Sequence, residues 1–302
     1  YKSLVEAMEK FRPDVVHLHN VGAFTATLSY VVGMEIPHVL SLHEYWPFCP
    51  LRMMILNRHA CQQPCGENCY PARKAGDTTR ELVLAARARV TFNEGSAAIF
   101  RQHGIPVEVI PHGLDLELYK PAPMKKGKVA FVASNPGYWE KGEHYYDAVL
   151  GRDTHLEAKV IGQPHAVVRS TLAEALVFFH AGIFQETFCL AVAEAMLCGA
   201  VPIAFDTAGP HSIITPETGV LVPVADLSGA REALEKLLRN PQETVIMGAR
   251  ARKRIKDFYN LDRMVKDYMR LYERVGGKNG GRVELYREDQ NTPVCTGRPL
   301  LS

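Results

Sequence analysis

The stretch LVFFHAGIFQETFCLAVAEAMLCGAVPIA, residues 176–204, decides the fold class. It begins with a short apolar run, Leu176–Phe179, which predicts a buried strand. A helical pattern follows over Phe188–Leu197, and a second short apolar run follows over Val201–Ala204. A strand, a helix and a strand in this order predict a βαβ unit in a parallel sheet covered by helices on both faces.

The same alternation extends along most of the chain. We predict these elements, in chain order: strand Asp14–Leu18, helix Phe24–Val32, strand His38–Leu42, strand Ala88–Phe92, helix Ser96–His103, strand Val107–Ile110, strand Lys128–Ala133, helix Glu143–Leu150, strand Leu156–Ile161 and helix Val167–Ala175. Residues 228–275 are predicted to be helical in two or three pieces. Repeated βαβ units indicate an α/β protein with two Rossmann-like parallel sheets.

The segment Tyr119–Lys128, YKPAPMKKGK, interrupts this alternation with two prolines, a glycine and four lysines. Such a composition is typical of a linker. We therefore predict a first domain over residues 1–122, a second over 123–260, a final helix over 261–275 and a tail of unknown structure over 276–302. Because the chain starts at Tyr1 in the middle of an amphipathic helical pattern, we expect the first domain to lack its N-terminal part.

Composition excludes several classes of protein. The 302 residues are 47% hydrophobic and 23% charged, as in an ordinary globular protein. Lysine and arginine total 35 against 33 acidic residues, so the net charge of +2 gives no support to nucleic-acid binding. The strongly apolar stretches are about ten residues long, well short of the ~20 that a membrane-spanning helix needs.

Two glutamates frame the start of the helix at Phe188–Leu197. Glu186 precedes this helix, and Glu194 lies on its second turn. The unpaired N–H groups at a helix start form a site for phosphate. A carboxylate on the second turn can accept hydrogen bonds from ribose hydroxyls, and one before the helix can reach a sugar attached to the phosphate. Both glutamates also fit a helix whose surface they merely decorate, since this spacing is common by chance.

Seven segments together resemble glycosyltransferase family 4, the retaining glycosyltransferases of the GT-B fold. They are, in chain order: residues 12–20 (RPDVVHLHN), His43-Glu44 with Trp46, residues 111–115 (PHGLD), Lys141-Gly142, Glu186 with Phe188 and Leu190, residues 194–203 (EAMLCGAVPI), and residues 218–223 (TGVLVP). The resemblance implies transfer of a sugar from a nucleotide diphosphate sugar to an acceptor, with retention at the anomeric carbon. It also implies that the final helix crosses back onto the first domain.

The resemblance carries roles to individual residues. Lys141 matches the lysine that binds the diphosphate, and Glu194 matches the ribose ligand. His43 and Glu186 are the expected catalytic pair at the donor sugar. The remaining donor-binding residues that it implies are Ser134, Asn135, Gly162, Thr187, Phe188, Cys189 and Leu190. His17 is predicted to pack, whereas His19 is predicted to line the cleft.

Two departures from the family pattern concern the donor site. The family usually has an arginine about five residues before the lysine, whereas residues 132–137 are VASNPG. The second departure is Cys189, at a position where the family commonly has glycine, so its side chain is expected to narrow the pocket. These departures keep open an alternative from another class: a non-catalytic nucleotide-sugar-binding or scaffold protein on the same fold.

Four of the seven cysteines fall within 21 residues: Cys49, Cys61, Cys65 and Cys69. Four thiolates can bind zinc tetrahedrally, although the spacing differs from the usual C-x2-C pairs. Free thiols or one disulfide in a surface loop explain them equally well. A structural zinc is thus one of two interpretations, and the resemblance implies no cofactor for catalysis itself.

The remaining expectations concern partners and location. The donor is expected to be a nucleotide diphosphate sugar, and the acceptor is a sugar, a lipid-linked molecule or a small molecule. We expect a cytoplasmic protein, with peripheral attachment to the membrane left open, and a role in cell-envelope or polysaccharide biosynthesis.

Overall fold

The computed structural model describes residues 2–19, 25–49, 52–56, 59–60, 76–135, 139–151 and 155–277. Two parallel sheets dominate this part of the chain, and a short antiparallel pair, β3 (Ile55–Leu56) and β4 (His59–Ala60), lies apart from them. The expectation of two Rossmann-like regions with parallel sheets is confirmed. Among the described helices, none combines the length and the apolarity needed to cross a membrane.

The first sheet has four parallel strands in the order β1-β2-β5-β6. Its strands and helices are α1 Lys2–Phe11, β1 Val16–His19, α2 Thr25–Gly33, β2 His38–Ser41, α3 Gly76–Ala85, β5 Ala88–Thr91, α4 Glu94–Gln102 and β6 Glu108–Val109. The central strand β2 is buried along its whole length. Every strand runs in the same direction, so the residues that follow β1, β2 and β5 meet at one edge.

The second sheet has five parallel strands in the order β8-β7-β9-β10-β11. Its elements are β7 Val129–Ala133, a 3-10 turn Trp139–Lys141, α5 Glu143–Leu150, β8 Glu157–Ile161, α6 His165–Glu174, β9 Val177–His180, α7 Leu190–Leu197, β10 Val201–Phe205, α8 Ala208–Ile213 and β11 Val220–Val222. The chain passes from β7 to β8 on one side and then continues with β9 on the other. The carboxyl ends of β7 and β9 therefore form a topological switch point, where open α/β sheets bind ligands.

Three helices follow the second sheet in the described part of the chain: α9 Leu227–Arg239, α10 Pro241–Phe258 and α11 Leu261–Gly276. The last one contacts the first sheet. The hydroxyl of Tyr272 lies 2.5 Å from Nδ1 of His17, and the hydroxyl of Tyr268 lies 3.3 Å from Oγ of Ser41. These contacts join strands β1 and β2 of the first sheet to helix α11.

The core explains why the quoted stretch has so few polar residues. Strand β10 is buried at every position, and α7 buries Val192, Ala193, Ala195, Met196 and Leu197 between the second sheet and α10. A helix that is apolar on nearly all sides belongs in an interior. Each large side chain buried here stabilises the fold by about 1.5–3 kcal/mol.

The structure differs from the predicted elements at several places. Helix α7 begins at Leu190 and not at Phe188, because Cys189 adopts a left-handed backbone conformation with a φ of 86°. Helices α3 and α8 and strands β3, β4 and β11 are not among the predicted elements. In α8 the reason is the pair Gly209 and Pro210, which disfavour a helix. The predicted linker is irregular but packs on the second sheet's helices: Lys125 donates hydrogen bonds to the carbonyl oxygens of Ala173 and Cys198.

Candidate donor site at the switch point

The switch point of the second sheet holds an ion pair. Lys141 closes the 3-10 turn after β7, and Glu186 lies in the loop after β9. Their Nζ and Oε1 atoms are 2.7 Å apart, and the side chains are 28% and 9% exposed. The topology of the sheet thus brings together two predicted site residues of opposite charge.

The ion pair shifts the pKa of both groups. Burial alone would raise the pKa of Glu186, but the Lys141 ammonium, together with His180 and a hydrogen bond from Cys189, lowers that pKa to about 2. Burial likewise opposes the charge of Lys141, but the Glu186 carboxylate, with smaller contributions from Cys189 and Glu140, raises the pKa of Lys141. Both groups are therefore charged at neutral pH.

Two further buried side chains surround the Glu186 carboxylate. Nε2 of His180, the last residue of β9, lies 3.8 Å from Oε1 of Glu186 and 3.5 Å from Sγ of Cys189. Burial first, and then the Glu186 charge, raise the pKa of the Cys189 thiol. Cys189 therefore points to the carboxylate as a neutral thiol, and its left-handed backbone is the conformation that a glycine adopts most easily.

The Glu186 loop contacts the first sheet directly. Oγ1 of Thr187 donates a hydrogen bond to the carbonyl oxygen of His43 at 2.9 Å, and Nδ2 of Asn93 donates one to the carbonyl oxygen of Thr187 at 2.6 Å. Phe188 lies edge-on to His112, with ring centroids 5.2 Å apart. The predicted catalytic pair, His43 and Glu186, thus comes from two loops that touch across the cleft.

Asn93 is a site residue that the sequence analysis missed. It lies two residues after the end of β5 and caps α4, and its Oδ1 accepts a hydrogen bond from the N–H of Ser96 at 2.7 Å. An asparagine between a strand and a helical pattern is a recognisable N-cap signal, and its place at the carboxyl end of β5 points to the cleft. Because Oδ1 forms the cap, Nδ2 is available to donate the hydrogen bond that holds the Glu186 loop.

Four histidines cluster on the first sheet's side of the cleft: His17, His19, His43 and His112. Nδ1 of His19 lies 3.0 Å from Nε2 of His43. The rings of His43, Phe92 and His112 pack against one another, with centroids 3.9 Å apart for Phe92 and His112, 4.6 Å for His43 and Phe92, and 5.6 Å for His43 and His112. His17 packs, as predicted, through Tyr272 and Ser41. His19 is exposed and lies beside His43.

These imidazoles are kept neutral by their surroundings. Burial, reinforced by neighbouring histidines, lowers the pKa of His43 to about 4 and those of His17 and His112 to about 3. In the unfolded chain each would titrate near 6.5. The unfolded state therefore binds more protons than the folded state below that pH.

This difference predicts a loss of stability in mild acid. As the pH falls from about 6.5 towards 4, the free energy of unfolding should fall by about 1.4 kcal/mol per pH unit for each histidine kept neutral. Urea unfolding at pH 7, 6 and 5 measures the slope. His112→Asn should reduce the slope of the free energy of unfolding against pH by about 1.4 kcal/mol per pH unit. The control His144→Asn, at an exposed position on α5, should leave the slope as it is in the wild type. A slope that His112→Asn does not alter would contradict the prediction.

Glu194 lies on the second turn of α7 with a different partner. The hydroxyl of Tyr119, from the predicted linker, donates a hydrogen bond to its Oε1 at 2.8 Å. Burial raises the pKa of Glu194, while Tyr119, His165 and Arg169 partly offset that rise. The basic side chains of His165 and Arg169, both in α6, thus lie near a half-buried carboxylate close to the start of α7.

The remaining predicted donor residues lie at the same carboxyl edge. Ser134 and Asn135 directly follow β7 and are exposed. Gly162 directly follows the neighbouring strand β8, and its N–H donates a hydrogen bond to the carbonyl oxygen of Ala133 at 3.0 Å. Leu190, the first residue of α7, is 46% exposed. All of them are positioned by strand ends or by the start of α7.

The cysteine cluster is described only in part. Cys49 is buried at 2% exposure within the core of the first sheet. Cys61, Cys65 and Cys69 lie outside the described residues, so the zinc interpretation stays a prediction.

Two family models match the chain. The model for Glycosyltransferase Family 4 matches residues 1–118, and the model for Glycosyl transferases group 1 matches residues 153–254. The first match covers the four-stranded sheet, and the second covers most of the five-stranded sheet with Glu186 and Glu194.

Curated relatives match over shorter stretches. The N-acetyl-alpha-D-glucosaminyl L-malate synthase of Bacillus anthracis is 32% identical over 111 residues, which are 36% of this chain and 26% of that protein. The GDP-mannose-dependent alpha-mannosyltransferase of Mycobacterium tuberculosis is 49% identical over 51 residues, 17% of this chain and 13% of that one. The matches thus span about a quarter or less of these relatives.

Solved structures match the fold over nearly the whole chain. The sucrose-phosphate synthase of Thermosynechococcus elongatus has a TM-score of 0.71 and 16% identity, over 90% of this chain and 76% of that one. HepE of Anabaena in complex with UDP-glucose has a TM-score of 0.70 and 15% identity, over 90% and 81% of the two chains. At this identity the likeness shows the shared architecture.

Proposed function

Since the chain belongs to the GT-B glycosyltransferases of family 4, we propose that it transfers a sugar from a nucleotide diphosphate sugar with retention at the anomeric carbon. The observation that carries this proposal is the Lys141–Glu186 ion pair at the switch point, beside the start of α7. A cation and unpaired helix N–H groups at one place suit the charge of a diphosphate.

The proposed donor site uses both members of the pair. Lys141 and the first N–H groups of α7 would bind the diphosphate, whose charge increases as the bond to the sugar breaks. Glu186 would hold the donor sugar, and Ser134, Asn135, Thr187, Phe188 and Leu190 would line the same place. Complexes of HepE with UDP-glucose and with UDP support a nucleotide-sugar donor for this architecture.

The first sheet would supply the acceptor side. An acceptor hydroxyl oxygen forms the new bond to the anomeric carbon, the bond from that carbon to the diphosphate oxygen breaks, and the hydroxyl proton passes to the departing diphosphate. His43 is neutral, and the Glu186 loop contacts its backbone, so we assign it to the reacting sugar. We assign the acceptor side to residues 1–122 and the donor side to residues 123–260.

No cofactor is proposed for the transfer, and a zinc at the clustered cysteines would be structural. We propose that the acceptor is a sugar, a lipid-linked molecule or a small molecule. We also propose a cytoplasmic location, either free or attached to the face of the membrane. Residues 261–275 serve as the crossing helix through Tyr268 and Tyr272.

A non-catalytic nucleotide-sugar-binding protein is the second candidate. Ser134 and Asn135 occupy the stretch where the resemblance leads us to expect an arginine, so Lys141 supplies the cation there by itself among the described residues after β7. Loss of one charged donor can cost a few kcal/mol of transition-state stabilisation. This candidate predicts binding of the donor without its turnover.

Nucleotide binding tests the proposed ribose ligand. We expect Glu194→Ala to weaken binding of the best of UDP, GDP and ADP by about 10- to 100-fold, because hydrogen bonds to a charged group contribute about 1.5–3 kcal/mol. Isothermal titration measures the affinity. Tyr119→Phe removes only the hydroxyl that holds Glu194 and should weaken binding less. An affinity unchanged in Glu194→Ala would rule out this role.

A further inference from the structure

Three buried side chains with metal-coordinating atoms converge at the floor of the proposed donor site. They are His180, Glu186 and Cys189, which are 4%, 9% and 4% exposed. Among the described residues, they form the one group of three in which the potential ligand atoms all lie within 4.8 Å of one another. The transfer reaction uses the carboxylate of this group and gives no role to the imidazole.

The spacing of these atoms approaches that of a tetrahedral metal site. Ligand atoms around zinc lie about 3.3–3.6 Å apart, because Zn–N, Zn–O and Zn–S bonds are about 2.0–2.3 Å long. Nε2 of His180 lies 3.5 Å from Sγ of Cys189 and 3.8 Å from Oε1 of Glu186. These two separations are within a few tenths of an ångström of the tetrahedral range, and the third, between Sγ of Cys189 and the Glu186 carboxylate, is no more than 4.8 Å.

The three atoms also have the chemistry of one class of cation. A thiolate, an imidazole and a carboxylate together suit zinc and its analogues cadmium and cobalt, and do not suit magnesium or calcium. We propose that His180, Glu186 and Cys189 form a binding site for a divalent cation of the zinc class. On binding, the cation exchanges three waters for the three side chains, and the Cys189 thiol releases its proton to solvent.

Lys141 competes with such a cation for the same carboxylate. Its ammonium lies 2.7 Å from Oε1 of Glu186, but it is 28% exposed and stands at the end of a flexible stem. It can therefore turn outwards, towards the place assigned to the diphosphate. The bound cation and the Lys141–Glu186 pair exclude each other, so the cation would remove Glu186 from the donor sugar.

A metal titration followed by absorption tests the proposal without measuring sugar transfer. Cobalt or cadmium is added to the wild-type chain and to Cys189→Gly, and the thiolate-to-metal charge-transfer band is recorded. Glycine removes the thiol and suits the left-handed backbone at this position. The other cysteines are present in both proteins, so the difference between the two titrations reports Cys189 alone. Cys198→Ser, at another buried cysteine, is the matched control.

We expect a band that is lost in Cys189→Gly and kept in Cys198→Ser. Lys141→Met should tighten the Cys189-dependent binding by about tenfold or more, because it removes a like charge from the site. His180→Phe, checked for folding by circular dichroism, should abolish the band if Cys189→Gly does not fold. Identical titrations with and without Cys189, in both the wild-type and the Lys141→Met backgrounds, would overturn the proposal. The proposed sugar transfer would be unaffected by that result.

Discussion

Glu186→Gln is expected to reduce the rate of sugar transfer by about 100- to 1,000-fold, the range found when one charged or hydrogen-bonding group of a transition-state site is removed. Glutamine keeps the shape of the side chain and removes its charge. The ion pair with Lys141 is then lost, and the donor sugar no longer meets a carboxylate at the switch point. Release of the nucleoside diphosphate from the donor measures the rate.

A second pair on the surface provides the matched control. Nζ of Lys126 and Oε2 of Glu174 are also 2.7 Å apart, but their side chains are 58% and 43% exposed and lie away from the switch point. Glu174→Gln should therefore leave the rate within a factor of about two, since an exposed pair contributes little. A Glu186→Gln variant that folds and keeps more than half of the wild-type rate would show that Glu186 is not a catalytic residue.

Lys141→Met is expected to destabilise the fold by about 3–5 kcal/mol at pH 7, because it leaves a buried carboxylate without its counter-charge. With Lys141 present, the pKa of Glu186 is about 2, so its contribution is full above its ordinary pKa and is lost only as the pH falls towards 2. Without Lys141, burial dominates and raises that pKa. The variant should then regain stability as the pH falls through the raised value.

A double variant separates this cause from a simple loss of packing. In Lys141→Met/Glu186→Gln the buried charge is gone, so we expect at least about 2 kcal/mol of the lost stability to return. Urea unfolding at pH 7 measures all three proteins, and Lys126→Met, from the surface pair, should change stability by less than about 1 kcal/mol. Strictly additive losses in the double variant would show that the pair is not coupled.

Much of the fold could be predicted because its strands and helices follow from local patterns of apolar residues. The alternation of short apolar runs with helical patterns predicts β7, α5, β8, α6, β9, α7 and β10 to within a few residues. The position of Glu186 before a helix and of Lys141 in a turn also follows from local patterns. Parallel strands place both at one edge, so these two residues could be predicted to lie together.

What could not be predicted depends on contacts between distant residues. Asn93 holds the Glu186 loop across more than 90 residues, and the hydroxyl of Tyr272 reaches His17 across 255 residues. No periodicity links such pairs. His180 lies just beyond the predicted strand Leu176–Phe179 and has no predicted role, and its contact with Cys189 involves a residue in a left-handed backbone conformation. The sequence predicts a helix start at Phe188. In the structure the helix begins at Leu190, and the thiol of Cys189 points towards Glu186.

The measurement that tests the central claim most directly is NMR of the chain with UDP-, GDP- and ADP-sugars. It follows the release of the nucleoside diphosphate and the anomeric configuration of the first product. We predict turnover of at least one donor, with retention, and its loss in Glu186→Gln. Binding of a donor by the folded chain without any turnover would contradict the transferase assignment and favour the non-catalytic alternative, and an inverted product would contradict retention.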